Sequence, residues 1–256
     1  MPVTIDVKSD DAVLKGHREV VAQRVLDHLG PCLPNSRVLC FLDDEDPPEL
    51  RREHGPANRG GYMAVHDEGY LDEWPSYVRE CACPSDRFGY RTRVIDDLVY
   101  LYGSTCVDEV GLTMTLAHEL QHVIQHGKER KLWAVNSLIA NDLSRRTIAA
   151  LKLNWSDIPI EVEARIVSRH VAESIFGEER VTCHIDSKIA ERVTGVDVAD
   201  WQFIRTLTVS STIDLAVETQ QLLKRLKGFR LELENALQEK RQNLDYADID
   251  LDVFFR

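Results

Sequence analysis

Two histidines four residues apart, inside one apolar helical stripe, constrain the fold of this chain most. His118 and His122 flank the tripeptide Glu-Leu-Gln. Apolar residues recur around them at spacings of three and four positions: Val110, Met114, Ala117, Leu120, Val123 and Ile124. This spacing predicts a helix that buries one face against a core. Both histidines would then lie in the middle of that helix, in largely apolar surroundings.

Residues typical of helix ends flank the stripe. Ser104 and Thr105 are favourable N-cap residues, and Asp108 and Glu109 place negative charge where the helix dipole favours it. Gly127 follows the last apolar residue, and a glycine commonly ends a helix. We therefore expect a helix of about 20 residues that ends at Gly127.

The spacing of the histidines suits a metal ion. Residues four apart lie one turn apart on the same helix face, so the imidazoles of His118 and His122 can occupy two corners of a tetrahedral zinc site. Glu119 is rotated by about 100° from His118, close enough to act on a metal-bound water without binding the metal. Burying two histidines and a glutamate together is unfavourable unless something binds them. The sequence therefore predicts a Zn²⁺ site with a general base beside it.

A third ligand has to come from elsewhere in the chain. In one known motif a histidine six residues after the second histidine completes the site, but Lys128 stands at that position. His126 lies two turns, about 12 Å, from His118, so it cannot share one zinc ion with both histidines. We interpret His126 as a polar residue near the helix end.

Residues 157–176 supply two candidates for the third ligand. Their apolar residues again follow a helical spacing, with Pro159 in the first turn and Gly177 after the last residue. Glu161 and Glu163 both lie near the start of this second predicted helix. The spacing alone leaves the two glutamates as alternatives.

The two segments together resemble a known signature. The run His118 to His122, followed by Glu161-Val162-Glu163-Ala164-Arg165, is similar to the HExxH…ExxA signature of glutamate-type zinc peptidases, the gluzincins. The short distance between the two parts is most similar to that of the ImmA/IrrE-like group. The resemblance covers residues 104–176, less than a third of the chain.

The resemblance implies a zinc ion held by His118, His122 and Glu161, with Glu119 as the general base in the hydrolysis of peptide bonds. In such families the residue after the alanine is often an aspartate or asparagine that supports a ligand. Here that residue is Arg165, which cannot accept a proton from an imidazole N–H.

Because of this departure Glu163 remains the alternative to Glu161. Arg165 shares a helix face with Glu161, and His170 shares one with Glu163. Each could stabilise an oxyanion if its own glutamate is the ligand.

Composition excludes several classes of function. The formal net charge of −12 disfavours nucleic acid and anionic membrane surfaces as partners, because phosphate binding relies on basic patches. No apolar run approaches the roughly 18 residues of a membrane-spanning helix, and residues 1–11 lack the pattern of an export signal. Six cysteines without a C-x-x-C pair are typical of a reduced, cytoplasmic protein.

We expect an α+β fold with a small, mostly antiparallel sheet packed on the metal-binding helix and a mainly helical C-terminal part. Residues 1–196 would form a zinc metallopeptidase-like domain, and residues 197–256 a helical extension. The predicted strands cover residues 37–42, 61–66 and 94–102. The remaining predicted helices cover residues 10–29, 130–152 and 198–241, the last broken near Ser210-Ser211 or Gly228.

The predicted function is that of a zinc-dependent endopeptidase acting on an intracellular protein or peptide substrate. The alternative is a latent or non-hydrolytic zinc protein, a regulator or toxin, that uses the same site for binding. Activity could be restrained by a thiolate of Cys81 or Cys83 on the metal, by the C-terminal tail, or by a regulatory partner protein. The sequence indicates neither the substrate nor the oligomeric state.

Overall fold

A computed structural model describes residues 3–43, 60–64, 76–88, 94–103, 105–191, 195–208 and 210–255. Over these ranges the chain has the predicted α+β fold: a small sheet, helices packed around it, and a helical C-terminal part. The strands are β1 (Val3–Lys8), β2 (Val38–Asp43), β3 (Gly60–Ala64) and β4 (Asp97–Leu101).

Helices make up most of the described chain. They are α1 (Ala12–Leu29), α2 (Ser76–Ala82), α3 (Glu109–Asp142), α4 (Arg145–Leu151), α5 (Pro159–Phe176), α6 (Glu178–Glu191), α7 (Gly195–Thr206), α8 (Leu215–Arg225), α9 (Arg230–Glu239) and α10 (Leu251–Phe254). Short 3₁₀ turns cover Gly30–Cys32, Trp155–Asp157 and Lys227–Phe229. Among the helices within the described ranges, none combines the length and the apolar character needed to cross a membrane.

The sheet is mixed, so the prediction of a mostly antiparallel sheet was wrong. Its strand order is β1-β2-β4-β3; β1 pairs with β2 and β2 with β4 in parallel, and only β3 runs antiparallel to β4. The first strand, β1, was missed, although Val3, Ile5 and Val7 alternate with polar residues as a strand requires. Helix α1 connects β1 to β2 as a crossover, and such a connection places the two strands in parallel.

The sheet is buried on both faces. Val38, Cys40 and Leu42 of β2 pack in the core that α1 and α3 complete, whereas Leu39 and Phe41 pack in the core on the α2 side. This explains why β2 reads as a continuous apolar run, as strands covered on both faces do. Helix α3, which carries His118 and His122, therefore lies on the α1 face of the sheet.

The predicted start of α3 was wrong, whereas the break predicted at Gly127 lies two residues from the break that the structure has at Glu129. Thr105 lies before the helix, Ser104 falls outside the described residues, and Asp108 is the N-cap, its Oδ1 accepting a hydrogen bond from the Gly111 N–H at 2.7 Å. The helix continues past position 127 to Asp142, with a kink at Glu129, where φ is −136° and ψ is 51°.

Gly127, next to this break, also makes a close contact with a distant segment. A Cβ atom at Gly127 would lie 2.6 Å from Cβ and 2.7 Å from Cγ of Pro34, which precedes β2. Carbon atoms in ordinary contact are about 3.5–4.0 Å apart. The second predicted helix, in contrast, ends as expected at Gly177, whose φ of 85° suits glycine.

The C-terminal helices share a core with the second half of α3. Ala134, Leu138 and Ile139 of α3 pack in one cluster with Leu223 of α8 and Leu233 of α9. The predicted helix over residues 198–241 is three helices, α7, α8 and α9, and helix α6 was not predicted. The predicted division of the chain at residue 196 stays a prediction.

The tail that follows α9 is packed rather than extended away. Tyr246, Ile249 and Leu251 are buried in the same cluster as the second half of α3. His126 of α3 lies 2.7 Å from Asp245 Oδ1, and Asp248 pairs with basic side chains of the same helix. The tail therefore packs against α3, the helix that carries His118 and His122.

We expect Gly127→Ala to be less stable than Gly16→Ala, a matched change in α1. Nothing lies within 4 Å of a Cβ at Gly16, so alanine there should stabilise the helix by about 1 kcal/mol. At Gly127 the same gain is offset by overlap with Pro34, which costs about 1–3 kcal/mol. Chemical denaturation of both variants measures the difference, and equal stability would contradict the close contact.

Candidate metal centre

Three side chains from two helices converge at the centre of the α3–α5 interface. His118 Nε2 lies 3.2 Å from His122 Nε2. His118 Nε2 also lies 3.2 Å from Glu161 Oε2, and His122 Nε2 lies 3.3 Å from the other carboxylate oxygen, Oε1. The histidines are one turn apart on α3, and the glutamate stands in the first turn of α5. The structure thus brings together the three residues that the resemblance implied as ligands.

The spacing of the donor atoms fits a small metal ion. A tetrahedral zinc site with bonds of about 2.0 Å has edges of about 3.3 Å between neighbouring ligand atoms, and the distance of 3.2 Å between the two Nε2 atoms matches such an edge. One ligand atom from each of the three residues can be chosen so that all lie within 4.8 Å of one another. His122 and Glu161 are buried, whereas 18% of the His118 side chain is exposed, so solvent reaches the cluster on the His118 side. This buried His118–His122–Glu161 group can hold a metal ion.

The electrostatics of the three groups are strongly coupled. Burial lowers the pKa of His118 to about 4, although Glu161 opposes the shift. Burial also acts to lower the pKa of His122, but the charge of Glu161 and its hydrogen bond raise it to about 9. Burial acts to raise the pKa of Glu161, and the two histidines hold that pKa well below its usual range. The metal-free cluster is therefore a carboxylate with one neutral and one charged imidazole.

Arg165 holds the glutamate in place. Its Nη1 donates to the backbone oxygen of Glu161 at 3.0 Å and to Oε2 of the same residue at 3.1 Å. Its Nε donates to Asp200 of α7. Arg165 is buried, and these bonds direct its guanidinium at the Glu161 carboxylate; the oxyanion role considered from the sequence stays a prediction.

The alternative glutamate, Glu163, faces a different set of side chains. Its Oε2 accepts hydrogen bonds from Gln121 Nε2 at 3.1 Å and Gln125 Nε2 at 2.8 Å. It is not part of the group that can hold a metal. His170, linked to Glu163 in the sequence argument, lies 2.9 Å from the Thr208 carbonyl oxygen instead.

Glu119 is buried beside the cluster. Its charge is among the causes that raise the pKa of His122, which places the carboxylate close to that ring. A Cβ at Gly60 of β3 would lie 3.4 Å from Glu119 Cγ, so the edge strand packs directly against this side chain. The role of Glu119 as a general base stays a prediction.

A polar and aromatic group next to the cluster was missed by sequence reasoning. Tyr62 of β3 stacks near His122, with ring centroids 6.3 Å apart, and donates a hydrogen bond to Asp97 at 2.8 Å. His126, rightly excluded as a ligand, bonds to Asp245. Asp97 and Asp245 come from β4 and from the tail, and no local pattern marks them as neighbours of α3.

The two cysteines considered as a latch lie away from the metal cluster. Cys83 is buried in the core on the α2 side of the sheet, opposite to α3. Cys81 is exposed, and its Sγ lies 3.8 Å from Asp6 Oδ2 of β1. Among the described residues, the metal-binding group contains no cysteine.

Comparison with known proteins adds no relative. No protein-family model matches the chain. No curated protein matches it either. The resemblance to the gluzincins therefore stays an expectation based on the motif, and the geometry of the site is the basis for any statement about function.

We expect metal binding to release about one proton near neutral pH. A histidine binds a metal ion only through its neutral imidazole. His122, whose pKa is raised to about 9, therefore has to lose a proton first. The apparent affinity for zinc should fall about tenfold per pH unit as the pH is lowered from 8 to 6. Calorimetric titration in buffers of different ionisation enthalpy counts the protons, and a pH-independent affinity would contradict this assignment.

Proposed function

We propose that this protein is a zinc-dependent peptidase in which His118, His122 and Glu161 bind the metal. The observation that carries the proposal is the convergence of His118, His122 and Glu161, whose candidate ligand atoms, one from each residue, lie within 4.8 Å of one another. Two imidazoles and one carboxylate form a donor set typical of catalytic zinc. Glu119, buried next to His122, supports a hydrolytic role for this site.

Among the residues that the structure describes, the cluster offers three protein ligands, which favours catalysis over a structural role. Structural zinc sites usually have four protein ligands, whereas catalytic sites have three and keep one position for water. A purely structural site also has no use for a carboxylate beside the ligands. The same two features weigh against the alternative of a non-hydrolytic regulator or toxin.

The chemistry follows from the positions of the side chains. A bound zinc ion would supply a water molecule of near-neutral pKa and a Lewis acid for the scissile carbonyl. Glu119 would take the proton of that water and pass it to the leaving amine. Arg165 keeps the Glu161 carboxylate turned towards the two histidines, so that the ligand set is formed before metal binds.

We further propose a cytoplasmic location and a protein or peptide as substrate. The six cysteines are free thiols, as expected in a reducing compartment. The net charge of −12 gives no support to a nucleic acid as partner. A regulatory partner protein remains part of the alternative in which activity is latent.

The purified protein should contain about one zinc per chain, and His122→Ala and Glu161→Ala should both lose it, because each removes one of three ligands. His170→Ala is the matched control, since this histidine lies on α5 outside the cluster and should leave the zinc in place. Elemental mass spectrometry gives the metal content. Zinc that survives Glu161→Ala would contradict the ligand set, and wild-type protein that binds no added zinc would contradict the proposed function.

Glu119→Gln should keep the zinc and lower peptide hydrolysis by about 10²–10⁴-fold, because the amide cannot accept the proton. Glu109→Gln, on the same helix but at its N-terminus, should retain activity. Turnover of a quenched-fluorescent peptide library by the zinc-loaded variants measures both. Normal turnover by Glu119→Gln would refute the assigned role, and a zinc-loaded but inactive wild type would favour the latent alternative.

A further inference from the structure

We propose that Gln125 and Glu163 are positioning residues that determine which nitrogen of His122 faces the metal. They form a hydrogen-bonded chain from a carboxylate through an amide to the imidazole. The proposal rests on the proposed zinc site, but its first step concerns the protein alone and can be tested without metal.

The orientation of the Gln125 amide follows from its neighbours. Gln125 Nε2 lies 2.9 Å from the backbone oxygen of Ile160 and 2.8 Å from Glu163 Oε2. A carbonyl oxygen and a carboxylate oxygen only accept hydrogen bonds, so the atom facing them must be the NH₂ group. The reverse orientation would place an oxygen against two acceptors and lose both hydrogen bonds in a buried site.

This orientation decides the protonation of His122. With its NH₂ group turned towards α5, Gln125 presents Oε1 to His122 Nδ1 at 2.7 Å. An amide oxygen cannot donate, so Nδ1 must carry the hydrogen of this bond. In the neutral ring Nε2 then has the lone pair, and Nε2 is the atom that lies 3.2 Å from His118 and 3.3 Å from Glu161.

Glu163 is in turn held by α3. Gln121 Nε2 donates to the same Oε2 atom at 3.1 Å, one turn before Gln125. Both glutamines are buried. The two amides therefore hold the Glu163 carboxylate at a defined place on the α3–α5 interface.

The two glutamates at the start of α5 thus have different tasks. Glu161 contacts both histidines directly, whereas Glu163 acts on His122 through Gln125. Because the neutral amide of Gln125 stands between Glu163 and His122, Glu163 orients the imidazole ring without touching it. Outer partners of this kind commonly change metal affinity by about 10–100-fold when they are removed.

Zinc affinity tests the chain of hydrogen bonds. Gln125→Leu should weaken zinc binding by about 10–100-fold, measured by competition with a chromophoric chelator. Glu163→Leu should act in the same direction. Glu163→Gln should recover most of the loss, because its amide oxygen can accept both hydrogen bonds. His170→Ala, on the same helix as Glu163 but bonded to the Thr208 carbonyl oxygen, is the control and should change affinity by less than about threefold.

The tautomer of His122 tests the first step separately. In ¹⁵N-histidine-labelled, metal-free wild type, spectra recorded at rising pH until the His122 ring is neutral should place its proton on Nδ1. Gln125→Leu should shift the ring towards the Nε2–H form that free imidazoles prefer. Long-range ¹H–¹⁵N correlation spectra distinguish the two forms.

The outcomes separate this inference from the proposed function. An Nε2–H tautomer in wild type, equal zinc affinity of wild type and Gln125→Leu, or equal losses in His170→Ala and Gln125→Leu would each overturn the inference. A wild type with the Nδ1–H tautomer that binds no zinc would instead overturn the proposed function, while the positioning of His122 would stand.

Discussion

The pairing of buried charges across helices is the constraint on which the rest of this structure depends. Glu161 of α5 contacts both histidines of α3, Arg165 contacts Glu161, and Asp200 of α7 contacts Arg165. A buried ion that loses its partner costs several kcal/mol, so each link requires the next. The His118–His122–Glu161 group and the packing of α3, α5 and α7 therefore depend on each other.

Features that depend on neighbours in sequence could be predicted well. The apolar stripe of α3, the start of α5 at Pro159 and its end at Gly177 follow from local spacing and backbone geometry. The pair His118 and His122 was visible for the same reason, because one helical turn brings the rings together. The fold class follows from the same local patterns, summed over the chain.

Features that depend on distant segments could not be predicted. The break in α3 near Gly127 was predicted to within two residues, but the contact of Gly127 with Pro34, more than ninety residues earlier, could not be. The spacing on α5 could not choose between Glu161 and Glu163, because only the packing against α3 shows which carboxylate meets the histidines. The parallel direction of β1, β2 and β4 was likewise not predicted, because β1 itself was missed. These misses have one cause: each was decided by a contact between elements.

The contact of His126 with Asp245 spans 119 positions along the chain. At a synthesis rate of about 5–20 residues per second, the aspartate leaves the ribosome roughly 6–24 s after the histidine. During that interval the α3 surface next to the metal cluster cannot form its bond to the tail. Closing so long a loop also comes late in folding, after local helices have formed. The surroundings of the His118–His122–Glu161 group are thus completed only when the C-terminal tail has been made.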